Sequence, residues 1–141
     1  MEIKNFRKEY FFLSNFYPCE VEYEGDIYPS SEHAFQAAKT TDRNARSYFR
    51  VCDSAATAKQ AGRKLQLRSD WEAIKDDVMY AVVSSKFTRN EHLKKMLLDT
   101  GDAYLEEGNN HGDTYWGTVN GNGKNTLGKI LMRVRKELGG A

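Results

Sequence analysis

The segment over residues 29–39 constrains the fold more than any other part of the chain. A proline followed by two serines is typical of a helix start, with Ser30 or Ser31 as the capping residue. Residues three or four positions apart are neighbours on a helix, so one face would group a carboxylate, a ring, an amide and an ammonium. These residues are Glu32, Phe35, Gln36 and Lys39, and the opposite side carries Ala34, Ala37 and Ala38. The pattern predicts a helix with a close-packed alanine side.

The mixed face of this predicted helix has two interpretations. Its first turn lies where a helix favours anions, so the grouped polar side chains suit a site for a charged ligand that contains a ring. The same spacing also fits a solvated helix face with ordinary charges. Spacing alone leaves both interpretations open.

Composition limits the classes of protein that the chain can be. Its 141 residues predict one domain over 1–141, and 40% hydrophobic residues can form a core. The net charge of +1 argues against a nucleic-acid binder held by bulk charge, although a local basic pocket is still compatible with it. No apolar run reaches the roughly 20 residues of a membrane span.

Location and metal content follow from short sequence features. Residues 1–5 are too polar to begin a signal peptide, and Cys19 and Cys52 form no motif, so we expect reduced cysteines in a cytoplasmic protein. His33, His92 and His111 are scattered, and no spacing of Cys and His resembles a zinc site. We therefore expect no metal.

The coarse reading is an α+β chain that is predominantly helical, with short N-terminal strands. Residues 19–23 alternate and lead through a turn at 24–26 into a second strand, whereas residues 11–13 fit either a strand or a buried connector. Helices are predicted over 42–49, from a Ser54 cap to about Leu65, from a capping box at 69–72, from an Asn90 cap to Gly101, and over 127–138. Residues 108–125 form a polar, glycine-rich stretch.

Residues 123–129 fit the first seven positions of a P-loop, but the eighth position is Ile130, which has no hydroxyl for magnesium. No long buried strand precedes the motif, so we reject a nucleotide triphosphatase. A glycine-rich turn before a helix can still offer free backbone N–H groups to a phosphate, with Lys124 and Lys129 nearby. A flexible loop with a helix cap fits these residues equally well.

Two other segments carry candidate ligand contacts. Trp116 follows Asp113 in a polar loop, where it could fill the core or stack on a flat ring. Asn15 and Phe16 lie among aromatic residues, where Asn15 is either a turn residue or a ligand contact. Glu32 with Asp113, between aromatic walls and without a metal, suits cleavage of a glycosidic bond through an oxocarbenium-like state. The cations considered for this site are Lys39, Arg63 and Lys129.

Taken together, these segments resemble the NADAR family, also called YbiA-like. The matching residues are 14–18, 31–39, 62–63, 70–71, 86–87, 98–102, 113–117 and 123–129. They fall in the family's order over nearly the whole chain, and the second and last of them are the most diagnostic.

The resemblance implies an N-glycosidase that acts on ribosylated bases. Some relatives are similar to the enzyme that hydrolyses phosphorylated ribosylaminopyrimidines of early riboflavin synthesis, and others remove ADP-ribose from guanine in nucleic acid. By analogy Glu32 matches the catalytic glutamate, and Asp113 and Trp116 lie in the second active-site motif. We expect Asp113 either to orient the ribose hydroxyls or to share proton transfer, and Lys39 could capture the opened sugar as a Schiff base. We expect substrate contacts from Asn15, Phe16, His33, Gln36, Arg63, Trp116, Gly117, Asn125, Gly128 and Lys129. No cofactor or metal is implied.

Two other functions fit the residues less fully. A module that binds ADP-ribose without cleaving it would explain the aromatic residues and the cations, but it gives Glu32 no task. A purely structural or interaction domain predicts no nucleotide-induced shift of the melting temperature. The sequence does not discriminate between free nucleotides and a modified nucleic acid as the substrate.

Overall fold

The computed structural model describes residues 1–141, and its helices predominate over short strands, as expected for an α+β chain. In chain order the elements are β1 (Glu2–Ile3), a 3-10 helix (Lys8–Leu13), β2 (Val21–Tyr23), β3 (Asp26–Tyr28), α1 (Ser31–Ala37), α2 (Arg43–Val51), α3 (Ala55–Gly62), α4 (Trp71–Arg89), α5 (Glu91–Asp99), β4 (Tyr104–Leu105) and α6 (Thr126–Glu137). Two compact units form: a first unit of Met1–Ser14 with Glu91–Ala141, and a second unit of Asn15–Asn90. None of the helices is long and apolar enough to cross a membrane.

In the second unit, the predicted hairpin is confirmed. β2 and β3 pair antiparallel, with Val21 opposite Tyr28 and Tyr23 opposite Asp26. The connecting residues Glu24 and Gly25 both have positive φ, at 50° and 90°. Such a turn matches the right-handed twist of the two strands that it joins.

Helix α1 is the centre of the second unit. Ser30 is its cap, as predicted, and the Ser30 hydroxyl accepts a hydrogen bond of 3.1 Å from the backbone N–H of His33. All seven residues of α1 are buried, and the helix packs against α2, α3 and α4. The interpretation of a solvated helix face is therefore wrong. Lys39 lies two residues beyond the end of α1 and is half-buried.

The other helices of the second unit begin close to the predicted positions. Asp42 and Ser54 cap α2 and α3 with their side chains, although α3 ends at Gly62 rather than near Leu65. The capping box predicted for α4 is wrong, because Asp70 is the cap residue and makes no side-chain cap bond. Its carboxylate instead accepts a 2.6 Å hydrogen bond from the guanidinium of Arg68.

The first unit contains the elements that the sequence analysis missed. β1 and β4 pair in parallel, and each contains only two residues. Residues 11–13 belong to a 3-10 helix that buries Phe12 and Leu13, so the connector is confirmed and the strand is not. α5 begins directly after Asn90, and α6 begins and ends one residue earlier than predicted.

Candidate functional site

Glu32 lies in the first turn of α1 in the second unit and is only 7% exposed. Its carboxylate oxygen Oε2 accepts a 2.5 Å hydrogen bond from the side-chain amide of Gln36, one helical turn later. Its backbone N–H donates to the carbonyl of Asn15 at 3.0 Å. The carboxylate is therefore held by a buried side-chain donor, on a helix whose start is itself fixed by the preceding segment.

The side-chain amide of Gln36 occupies space that Gly62, at the end of α3, leaves open. A Cβ atom at Gly62 would overlap the amide oxygen Oε1 of Gln36, so only glycine leaves room for that amide. Oε1 is buried and accepts no hydrogen bond. Leaving a buried acceptor without a partner costs roughly 1–3 kcal/mol. The same orientation of the Gln36 amide directs its N–H₂ group to the Glu32 carboxylate.

Lys39 places an amine in the same unit, with its Nζ 6.0 Å from the centre of the Phe35 ring. Burial lowers the pKa of the Lys39 amine below its usual range. Glu32 opposes this change and raises the pKa, whereas Arg63 and Lys59 lower it further. A larger fraction of Lys39 is therefore neutral near physiological pH than for an exposed lysine, and a neutral amine is a nucleophile.

Lys59 is a cation that the sequence analysis missed. Its Nζ lies 5.8 Å from the centre of the half-buried Phe16 ring, and Arg63 is exposed one helical turn further along the chain. The spacing of four residues could have found Lys59, because residues four apart share a helix face. Lys39, Lys59 and Arg63 interact electrostatically and form a group that we call the cation cluster.

Asn15 and His33 have their polar atoms engaged within the protein. The Asn15 oxygen Oδ1 accepts a 3.0 Å hydrogen bond from the Ser31 hydroxyl, and Asn15 Nδ2 lies 3.4 Å from Met79 Sδ. Both ring nitrogens of His33 are occupied, Nδ1 by the Ser30 hydroxyl at 2.6 Å and Nε2 by the Cys52 carbonyl at 3.1 Å.

A carbonyl can only accept, so Nε2 of His33 carries the hydrogen and Nδ1 accepts from Ser30 when the ring is neutral. Burial lowers the pKa of His33, and the hydrogen bond to Cys52 opposes that change. We therefore interpret His33 as a residue that positions α1, since no ring nitrogen is left for a substrate.

In the first unit, Asp113 closes the turn that carries Trp116. Its Oδ1 accepts hydrogen bonds from the backbone N–H groups of Tyr115, at 3.1 Å, and Trp116, at 2.9 Å. Asn109 binds the backbone of Asp113 on both sides, with contacts of 3.1 and 2.9 Å. Asn109 is a second residue that the sequence analysis missed, since its role depends on a loop shape that no motif encodes.

Trp116 is half-buried and does not fill the core of the first unit. Its ring meets the Tyr115 ring edge-on, with centroids 4.8 Å apart and planes at 79°. Lys124 Nζ lies 5.0 Å from the centre of the Tyr115 ring. Part of the indole therefore stays accessible, as stacking on a ligand requires.

Four consecutive backbone N–H groups of the predicted glycine-rich turn are engaged within the protein. Consecutive N–H groups at the start of α6 donate to carbonyls of the preceding loop: Lys124 to Thr114 at 2.8 Å, Asn125 to Gly117 at 3.2 Å, Thr126 to Tyr115 at 3.1 Å and Leu127 to Trp116 at 2.9 Å. These donors bind the loop, so they are not available to a phosphate. These hydrogen bonds hold residues 114–117 against the start of α6.

The remaining predicted residues of this turn hold the backbone together. Asn125 has φ of +54° and is buried, and its amide donates to the Leu105 carbonyl at 2.9 Å and accepts from the Glu107 N–H at 3.0 Å. A Cβ atom at Gly128 would overlap the Leu105 carbonyl and the Asn125 amide, and one at Gly117 would overlap Glu107. Lys129 is exposed.

The structure thus brings the predicted residues together in two groups, one in each unit. The second unit groups Glu32, Gln36, Lys39, Phe16 and Arg63, with Asn15 and His33 supporting α1. The first unit groups Asp113, Trp116, Gly117, Asn125 and Gly128. No group of three or more His, Cys, Asp or Glu side chains could hold a metal ion.

Known proteins are similar to this chain in sequence and in fold. A curated N-glycosidase YbiA of Escherichia coli is 38% identical over 129 residues, which is 89% of this chain and 80% of that protein. A riboflavin biosynthesis protein of Vibrio vulnificus is 43% identical over 130 residues, but the chain spans only 35% of its length. The NMR structure of E. coli YbiA matches with a TM-score of 0.85 and 35% identity, over 98% of this chain and 83% of that one.

These relatives confirm the predicted enzyme class, a hydrolase that acts on N-glycosyl bonds, and they confirm the resemblance. An N-glycosidase of Nostoc punctiforme is 36% identical over 89% of this chain and 84% of that protein. The NADAR domain description matches residues 3–139. With nearly every residue matched and the fold shared, the chain belongs to the NADAR domain family.

Proposed function

We propose that this N-glycosidase cleaves the bond between ribose and the base of phosphorylated ribosylaminopyrimidines, and that Glu32 and Lys39 carry the reaction. The observation that supports this most is the buried carboxylate of Glu32, oriented by Gln36, in the same unit as a half-buried amine. A carboxylate excluded from water stabilises positive charge at the anomeric carbon more strongly than an exposed one does.

In the proposed reaction, the neutral Lys39 amine forms a bond to the anomeric carbon as the carbon–nitrogen bond to the base breaks. The base leaves with that electron pair and receives the proton that Lys39 loses, passed through Glu32. The furanose ring then opens to a protonated Schiff base on Lys39, taking up one proton from solvent at the ring oxygen. Water adds to the carbon–nitrogen double bond, releases the sugar, and returns the proton and the free amine.

The other predicted contacts divide by unit. Phe16 offers a ring beside Lys59 for stacking on the base, and the cation cluster supplies charge for the substrate phosphate. Asp113, Trp116 and Lys129 stay predicted substrate contacts of the first unit. We do not assign the phosphate to the glycine-rich turn, because the N–H groups of Lys124, Asn125, Thr126 and Leu127 are engaged by the preceding loop.

The choice of substrate rests on the relatives. Two proteins from distant organisms, Vibrio vulnificus and Zea mays, are named riboflavin biosynthesis proteins. We place the reaction in the cytoplasm, where the two free cysteines would stay reduced. Removal of ADP-ribose from guanine is the competing activity. A parallel assay of a ribosylaminopyrimidine phosphate and an ADP-ribosylated guanine oligonucleotide decides between the two, and faster release from the oligonucleotide would contradict our choice.

The test of the mechanism is Glu32→Gln, which keeps the shape of the side chain and removes its charge. We expect turnover to fall by about 10³-fold, a typical effect of losing a carboxylate that manages protons and charge. The matched control is Glu72→Gln, at a carboxylate of the same unit whose side chain is 78% exposed. Wild-type turnover of Glu32→Gln, with an unchanged melting temperature, would contradict the assignment. Binding of the nucleotide without any release would favour the binding module.

A further inference from the structure

Lys86 of α4 is the most anomalous charged residue of the second unit. It is 1% exposed, although lysine is almost never fully buried without a specific reason. Burial lowers the pKa of Lys86 to about 8, and the neighbouring Cys19 opposes this change by raising it. An apolar side chain of similar volume would occupy this position at a lower cost in desolvation.

Two aromatic rings lie close to the Lys86 ammonium. Its Nζ lies 5.1 Å from the centre of the Phe87 ring and 5.7 Å from that of Tyr17. Tyr17 belongs to residues 15–19, which we call the aromatic segment. A cation over a ring in a site without water is attracted with a preferred geometry, whereas apolar contact has no direction.

The aromatic segment is attached to the start of α1 at both of its ends. At one end, the carbonyl of Asn15 accepts the N–H of Glu32 at 3.0 Å. At the other, the N–H of Cys19 donates to the carbonyl of Pro29 at 3.0 Å, directly before the cap residue of α1. Between these ends the segment carries Phe16 and Tyr17. Any rotation of the segment would therefore change the position of Glu32 and of the Phe16 ring together.

We propose that Lys86 is a positioning residue, which holds the aromatic segment through the Tyr17 ring and so fixes Glu32 and Phe16 for the N-glycosidase reaction. The proposal rests on the function proposed above. It gives the buried charge of Lys86 a task that an apolar side chain could not perform. Lys86 need not contact the substrate, because its effect passes through residues 15–19.

The test uses Lys86→Met, which keeps the length of the side chain and removes the charge. We expect an unchanged or higher melting temperature, because apolar replacements of buried charges are often neutral or stabilising. We expect kcat to fall between about tenfold and a hundredfold, as small misplacements of reacting groups do, with a smaller change in KM. Lys86→Arg keeps the charge over the ring and should recover part of kcat. The control is Lys75→Met in the same helix, where Lys75 pairs with exposed Glu72 at 2.8 Å.

Tyr17→Leu provides a second approach, since it removes the ring and leaves the ammonium. The same loss of kcat is expected. Wild-type kcat in Lys86→Met, or failure of that variant to fold while Tyr17→Leu keeps wild-type kcat, would overturn the proposal. If Glu32→Gln is inactive while Lys86→Met is fully active, only this inference fails. If both variants are fully active, the proposed function fails as well.

Discussion

The two units hold their candidate carboxylates by opposite means. Glu32 in the second unit lies on a buried helix and receives its hydrogen bond from a side chain, Gln36. Asp113 in the first unit lies in a loop and receives two backbone N–H groups, from Tyr115 and Trp116. The packing of a helix thus orients Glu32, whereas Asp113 itself determines the shape of its loop. Substitutions should therefore separate the proposed catalytic role of Glu32 from the structural role of Asp113.

Two buried glycines, one from each unit, differ in the same way. Gly62 of the second unit leaves room for the far end of a side chain, the Gln36 amide. Gly128 of the first unit leaves room for a backbone carbonyl, that of Leu105, as well as the Asn125 amide. A side chain can move aside at small cost, but a backbone in a packed element cannot.

The largest effect is expected at Lys39, the proposed nucleophile of the second unit. Lys39→Met should reduce turnover by about 10³-fold, since removing an activated nucleophile leaves only binding and charge stabilisation. A substrate-dependent mass increase after borohydride reduction is expected in the wild type and not in the variant. Absence of that adduct in the wild type would contradict a covalent role.

The pH dependence of the wild type provides an independent check of Lys39. Burial lowers its pKa below the usual 10.5, and only the neutral amine can attack. The rate should therefore rise with pH toward that lowered pKa and level off above it. A rate that falls steadily over this range would argue that the ammonium form is the active one.

The next effect separates the glycines. Gly128→Ala should lower the free energy of unfolding by about 2 kcal/mol, because the new methyl group meets backbone that cannot move. Gly62→Ala should change stability by less than about 1 kcal/mol and turnover by about tenfold, since Gln36 would move away from Glu32 and a hydrogen bond to a charged group is lost. Chemical denaturation and steady-state rates of both variants measure this contrast. An unstable Gly62→Ala with a normal rate per folded molecule would reverse it.

The sequence predicted those parts of the fold that depend on neighbouring residues. The Ser30 cap and the β2–β3 hairpin follow from local signals, and both are confirmed. The pairing of β1 with β4 joins Glu2 to Tyr104, and two-residue strands are too short to show alternation. The failed capping box shows the same limit, since Asp70 binds Arg68 instead of the helix start.

The candidate site also has a part that the sequence could predict and a part that it could not. The pairing of Glu32 with Gln36 follows from their spacing of four residues on one helix. The engaged N–H groups of α6 could not be predicted, because the carbonyls that accept them belong to a loop whose course the motif does not encode. Lys86 belongs to a segment that matches the family, but its burial could not be predicted, since a lone lysine in a helix is normally exposed.

The smallest effect tests Asp113. Asp113→Ala removes the acceptor for two backbone N–H groups and should cost about 1–2 kcal/mol of unfolding free energy, as the loss of a helix cap does. Asp113→Asn keeps an oxygen in the same place, so it should cost less than half as much. If the carboxylate mainly shapes its loop, Asp113→Asn retains turnover within about threefold, because an amide oxygen still accepts both N–H groups. A hundredfold loss at unchanged stability would instead assign the second carboxylate oxygen, which accepts no hydrogen bond within the protein, to the reaction itself.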